Sequence, residues 1–117
     1  MDVVVTVPKR LWAEWIAEGD LPGDPPTGRE YIYYSDAAVR AEVFSGDRVY
    51  IVAYGKLRGY SLLVRKAGPP GELRWGLVRA GGAAAVTIDE PVRGFQGFRY
   101  RWWDRAIERP FPGWRMP

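Results

Sequence analysis

The feature that most constrains this chain is its punctuation. Of 117 residues, 14 are Gly and 10 are Pro, and in the second half they cut the sequence into short apolar runs. Arg48–Tyr54 sets Val49, Ile51 and Ala53 against Arg48, Tyr50, Val52 and Tyr54, the period of a strand. Gly55-Lys56 predicts a turn, and Leu57–Lys66 returns as the partner strand. Gly68-Pro69-Pro70-Gly71 predicts a second turn before a strand over Leu73–Arg79. Gly81-Gly82 is expected to break the chain ahead of Ala83–Ile88. Phe98–Trp103 is the last strand, before an irregular tail carrying Pro110 and Pro112. Many short strands divided this way predict a mainly β fold, a small closed or nearly closed β-barrel with α additions.

The first half supplies the helical part. Val3–Val7 is a β-branched run that reads as a strand, and Pro8 stands at a natural first helical position. Leu11, Trp12, Trp15 and Ile16 then fall on one stripe of a helix, which Gly19 ends. Trp12 and Trp15 are expected to pack this helix on the barrel. Asp20–Gly28, with Pro22, Gly23, Pro25 and Pro26, is a stiff loop. Arg29–Tyr34 is an aromatic-rich strand, and Asp36–Phe44 predicts a second, short helix capped by Ser35. There is no internal repeat and no linker, so residues 1–117 are expected to form one domain.

Composition narrows the chemistry. The chain has neither Cys nor His, which excludes a Cys/His zinc site, a disulfide, a thiolate nucleophile and any imidazole acid or base. Carboxylates, Lys and Tyr remain, but Asp20, Asp24 and Asp89-Glu90 have no cation-loop spacing, so no metal and no cofactor is expected. Seventeen basic against fourteen acidic residues give a net charge of +3, carried mostly by Arg, since only Lys9, Lys56 and Lys66 are lysine. No run approaches the roughly 18 apolar residues of a membrane span, and Val3–Val5 is too short for a signal peptide core, so a cytoplasmic location is expected. The scarcity of Asn and Gln fits either a heat-adapted source or a GC-rich genome.

The order of elements carries a resemblance. A strand, a helix ending in Gly and a proline-rich loop precede a β-run built on Gly46-Asp47-Arg48-Val49-Tyr50-Ile51. After the next turn comes Arg58-Gly59-Tyr60, and later Phe95-Gln96-Gly97-Phe98-Arg99-Tyr100. This layout resembles the PUA-like superfamily of small pseudobarrels, which includes the PUA, ASCH and EVE domains. ASCH is nearest in layout. For its Gly-x-Lys-x-x-Glu-x-Arg signature the matching region offers Gly19, a proline-rich stretch and then Gly28-Arg29-Glu30, without the Lys or the final Arg. The resemblance implies a cleft between helix and barrel that accommodates RNA or a nucleobase-like group, with Arg29 and Glu30 in its neighbourhood.

The residues make a suggestion of their own. In Phe98–Trp103, alternation places Arg99, Arg101 and Trp103 on one face, two guanidiniums beside an indole. That pairing combines phosphate hydrogen bonding with base stacking, and Arg93, Arg105 and Arg109 flank it. Lys56 at the hairpin tip and nearby Arg58 would extend the binding surface, and Tyr31, Tyr33 and Tyr34 would supply a stacking wall. The function expected is binding of RNA or a modified nucleobase through an Arg/aromatic cleft, by a monomer or weak homodimer that does not engage a membrane. One alternative is an ASCH-type hydrolase acting on RNA or a small acylated nucleoside, with Lys56, Glu30 and Tyr60 moving protons. Another is a protein-interaction module docking through Phe111 and Trp114.

Overall fold

A computed structural model describes residues 1–35, 42–67 and 75–117. The second helix expected over Asp36–Phe44 and the turn at Gly68–Gly71 lie largely or wholly outside these residues.

The strand β1 (Val3–Thr6) leads through a 3-10 turn at Lys9–Leu11 into the helix α1 (Trp12–Glu18). The long loop that follows ends in β2 (Glu30–Ser35). β3 (Arg48–Ala53), β4 (Lys56–Ala67) and β5 (Trp75–Ala84) form a meander, and β6 (Val86–Thr87), β7 (Phe98–Tyr100) and β8 (Arg109–Pro110) are short. Six strands make one mixed sheet in the order β2-β5-β4-β3-β1-β7, while β6 and β8 pair separately. β1 runs parallel to β3 and antiparallel to β7.

The central strands are buried on both faces, which explains their near-continuous apolar runs. Val3, Val5, Val49 and Ile51 point to one core with Trp15, Leu21, Leu63, Leu77 and Trp114. Val4, Tyr50 and Val52 point to the other, with Leu57, Ile88, Val92 and Trp103. The period-two patterns of β1 and β3 therefore divide two apolar layers rather than core from solvent.

Three expectations change. The sheet is not a closed barrel: β2 and β7 are its edges, and among the described residues no backbone ladder joins them. They meet through a side chain, the Tyr33 hydroxyl donating to the Gly97 carbonyl at 2.9 Å, and α1 packs its Trp15 into the core on this side. The β3–β4 turn is made by Tyr54 and Gly55, whose φ values of 49° and 69° match a tight hairpin turn, so Lys56 already belongs to β4. Gly81-Gly82 does not break the strand; β5 runs through both to Ala84, and the register of the β4–β5 pairing shifts alongside them. A β-carbon on Gly81 would lie 2.5 Å from the Asp20 β-carbon, and one on Gly82 would lie 2.9 Å from the Asp24 carbonyl oxygen. The pair lets the loop before β2 approach the strand.

The tail after β8 is also part of the body. Trp114 is buried over Gly23, and the guanidinium of Arg58, fully buried, donates to the carbonyl oxygens of Ala53, Trp114 and Met116. Trp12 and Phe111 flank it with their rings.

Two glycines separate backbone conformation from packing. Gly59 has φ of +150°, and a β-carbon there would sit 2.4 Å from the Ala84 carbonyl oxygen. Gly28 has φ of +88° with nothing within 4 Å of that position. Urea denaturation is expected to show Gly28→Ala costing about 1–2 kcal/mol, the left-handed backbone penalty alone. Gly59→Ala should cost clearly more, because the backbone of β5 must also move. Equal losses would contradict this packing.

Candidate functional site

Among the described residues, a mostly apolar hollow lies between α1, the end of β1 and the edge strand β2. It has two lobes that share Val7, Trp15, Glu18, Ile32 and Tyr33. The inner lobe, about 110 Å³, has a floor of Val5, Val49, Ile51 and Leu77 and reaches Tyr31 and Arg79. The outer lobe, about 240 Å³, extends along α1 past Leu11 and Glu14 to Thr6 and Pro8. Together they reach the lower end of the roughly 300–1,000 Å³ typical of ligand clefts. A small ring system fits this scale.

Sequence and topology explain how the polar end is assembled. Glu14 and Glu18 are one turn apart on α1, so both fall on the same side of the helix, at the margin of its apolar stripe. Arg79 interrupts the apolar run of β5 and pairs across the ladder with Tyr31 of β2. Its guanidinium lies over the Tyr31 ring, 4.6 Å from the centroid. Arg79 Nη1 donates to the Asp20 carbonyl at 3.1 Å and to Ser61 Oγ at 3.4 Å. Nη2 faces Glu18 Oε1 at 3.6 Å, wider than a hydrogen bond. Burial lowers the pKa of Arg79, which nonetheless stays cationic. Burial raises that of Glu18, with Arg79 pulling in the opposite direction. The Tyr31 and Tyr33 hydroxyls are raised by burial, Tyr31 also by its bond to Asp20.

Asp20 organises this end of the cleft. Its side chain is fully shielded and accepts from the Thr27 amide at 3.0 Å, the Thr27 hydroxyl at 2.6 Å, Arg29 Nε at 2.8 Å and the Tyr31 hydroxyl at 2.9 Å. Its carbonyl receives Arg79 and the Gly82 amide. The Thr27 hydroxyl, then Tyr31 and Arg29, hold the Asp20 carboxyl below the usual aspartate range.

The residues singled out in the sequence go to separate places. Arg29 is exposed and bound to Asp20 at the back of the cleft, whereas Glu30 is exposed and pairs with Arg65 at 2.7 Å. Lys56 lies on the far side, beside Asp89, Glu90 and Arg109, in a depression of about 210 Å³. Arg58 is the buried clamp on the tail. Tyr60 is half-buried under the Arg48 guanidinium, 4.1 Å from its ring. Arg99 is exposed over Phe95, Arg101 is bound to Asp2 at 3.0 Å, and Trp103 is buried and donates to Glu108 at 2.8 Å. Arg99, Arg101 and Trp103 thus stand near one another but form no joint open platform. β7 ends at Tyr100, and the Asp2 carboxylate, almost fully shielded, also takes Arg105 at 2.7 Å. Burial pushes Asp2 up, but the Arg48 amide, Arg105 and Arg101 outweigh it and the net shift is downward.

Beside this lies a second polar network. The Tyr50 hydroxyl donates to Glu108 at 2.5 Å and receives Arg48, and burial together with Glu108 raises its pKa. Of the cleft residues, Tyr31, Tyr33 and Trp15 stand out in the sequence as aromatics, but Arg79 and Glu18 do not stand out. The signal for Arg79 is a lone charge inside an apolar strand. That for Glu18 is its spacing from Glu14 and Trp15.

No protein-family model matches the chain, and no curated protein or solved structure is significantly similar to it.

Asp20 gives the site a pH signature. Because its folded pKa is lowered, its contribution to stability is present in full above the ordinary aspartate value of about 3.9 and is lost as pH falls through the native value. Asp20→Asn should be less stable than the parent at pH 7 in urea denaturation. The gap should narrow as pH is lowered through that range. A gap that is constant from pH 7 to 2 would mean that the charge of Asp20 is not what binds the loop.

Proposed function

We propose that the chain is a binding module that takes a small, flat, base-like group into the cleft between α1 and the sheet. The observation that carries this reading is the coincidence of three properties in one hollow. It has an apolar floor, aromatic walls from Trp15, Tyr31 and Tyr33, and a hydrogen-bonding head made by the buried Arg79 and the half-buried Glu18. Few convergent polar groups in a mostly apolar cleft are what orient a small ligand. The PUA-like resemblance of the sequence, in which such a cleft receives RNA or a nucleobase, agrees with this reading.

The charge around the cleft favours the base over the phosphodiester. Glu14 and Glu18 stand on its helix side, and the cation at its head, Arg79, is deep and already faces a carboxylate. A base, free or displayed by RNA, would enter with its sugar toward solvent. Affinity is then expected to depend little on salt, in contrast to the log–log slope of about −0.7 for each phosphate contacted on a single strand.

Chemical-shift mapping with nucleobases, nucleosides and short single-stranded RNA tests the proposal. Saturable shifts of Val7, Ile32 and Tyr33 are expected, with affinity varying less than about threefold between 50 and 200 mM salt. Val7→Trp, which fills the region common to both lobes, should abolish them without unfolding the protein. Binding that survives Val7→Trp, or no shifts in the cleft with any of these probes, would overturn the reading.

A further inference from the structure

We infer that the head of the cleft selects an uncharged ring that carries an N–H beside a hydrogen-bond acceptor, and that it turns away anionic rings. The inference rests on the binding reading above and adds the chemistry of the ligand edge. Arg79 Nη2 and Glu18 Oε1 lie side by side, 3.6 Å apart, at the wall of the inner lobe. A guanidinium only donates and an ionised carboxylate only accepts. Together they present one donor next to one acceptor, with no net charge. The complement is an edge of the opposite order, such as the C=O and N–H of a ring lactam, whose oxygen accepts from Arg79 and whose N–H donates to Glu18.

The surroundings sharpen the choice. The guanidinium is held in place by the Asp20 carbonyl and Ser61 on Nη1, and by the Tyr31 ring that it covers, so Nη2 is presented in a fixed direction. The floor of Val5, Val49, Ile51 and Leu77 offers no further polar partner and suits the face of a ring. A carboxylate or phosphate reaching for Arg79 would approach the half-buried Glu18 and meet like charge there, with the exposed Glu14 one turn away on the same helix. A ring whose N–H is methylated would cover the half-buried Glu18 carboxylate without offering it a donor, and so would lose the hydrogen bond that the lactam edge makes.

Isothermal titration with uracil, 1,3-dimethyluracil and benzoate reads this directly. Uracil is expected to bind at least tenfold more tightly than either of the others. Glu18→Met, similar in length but without the carboxylate acceptor, should bring uracil and dimethyluracil within about threefold of each other and let benzoate bind Arg79. Glu18→Gln, which keeps an acceptor and loses the charge, should retain the preference for uracil while admitting benzoate. Glu90→Met, on the far side of the molecule, should preserve the parental order, and circular dichroism melts report whether each variant is folded. Equal affinity of the parent for uracil and its dimethyl derivative, or benzoate binding as tightly as uracil, would overturn the inference and leave the cleft as a binding site. If none of the three rings binds the parent, the inference falls, and if bases, nucleosides and RNA also leave the cleft unshifted, the binding reading falls with it.

Discussion

The carboxylate of Asp20 is the point on which the cleft depends. It sits in the left-handed region, φ 55°, directly after the glycine that ends α1, and it gathers the loop, β2 and β5 around one shielded charge. Thr27 and Arg29 bring the loop back on itself, Tyr31 ties it to β2, and the main-chain carbonyl of the same residue holds Arg79. Gly81 of β5 leaves room for the Asp20 side chain, and Gly82 leaves room for the backbone of Asp24 and Pro26 in the same loop. A ring of donors around one acid is a strong arrangement because each bond is charge-assisted. Its effect is to fix the Arg79 guanidinium and the Tyr31 ring before any ligand arrives, which reduces the ordering that binding must impose.

The same economy of charge disperses the arginines elsewhere. Asp2 absorbs Arg101 and Arg105, Glu108 absorbs Arg48, and Asp89 takes Arg109. A chain rich in guanidinium groups thus becomes one whose arginines staple strand ends to loops. Arg is suited to this because its planar fork reaches two acceptors at once. The net charge of +3 is real, but these pairings divide it among separate places on the surface.

Much of the architecture is legible in the sequence, and for physical reasons. The Val3–Val5 run, the stripe of Leu11, Trp12, Trp15 and Ile16, and the alternation of β3 each report a local period that tertiary packing reinforces. Less legible is what depends on contacts between distant segments. Gly81-Gly82 looks like a break, because local propensity cannot show that Asp20 will press against it. Barrel closure cannot be deduced from the spacing of turns, since it requires the edge strands β2 and β7 to pair, and β7 pairs with β1 instead. The polar head of the cleft combines residue 18 with residue 79, and no window of sequence contains both. The Arg99, Arg101 and Trp103 alternation is visible, but the buried acids that meet Arg101 and Trp103, Asp2 and Glu108, belong to other elements.

The buried Arg58 has a consequence for how the chain reaches its native form. Its Nη2 has no hydrogen-bond partner, and no acid compensates it among the contacts described; main-chain carbonyls of residues 53, 114 and 116 surround it instead. Two of these acceptors lie more than fifty residues further along the chain. The Ala53 carbonyl is local to the β3–β4 hairpin, but the guanidinium loses its water fully only where residues 114–116 cover it, and that contact has to close a long loop. Burial of this one cation therefore depends on contacts between segments far apart in sequence, and residues 114–116 act as the bolt that holds it in the interior.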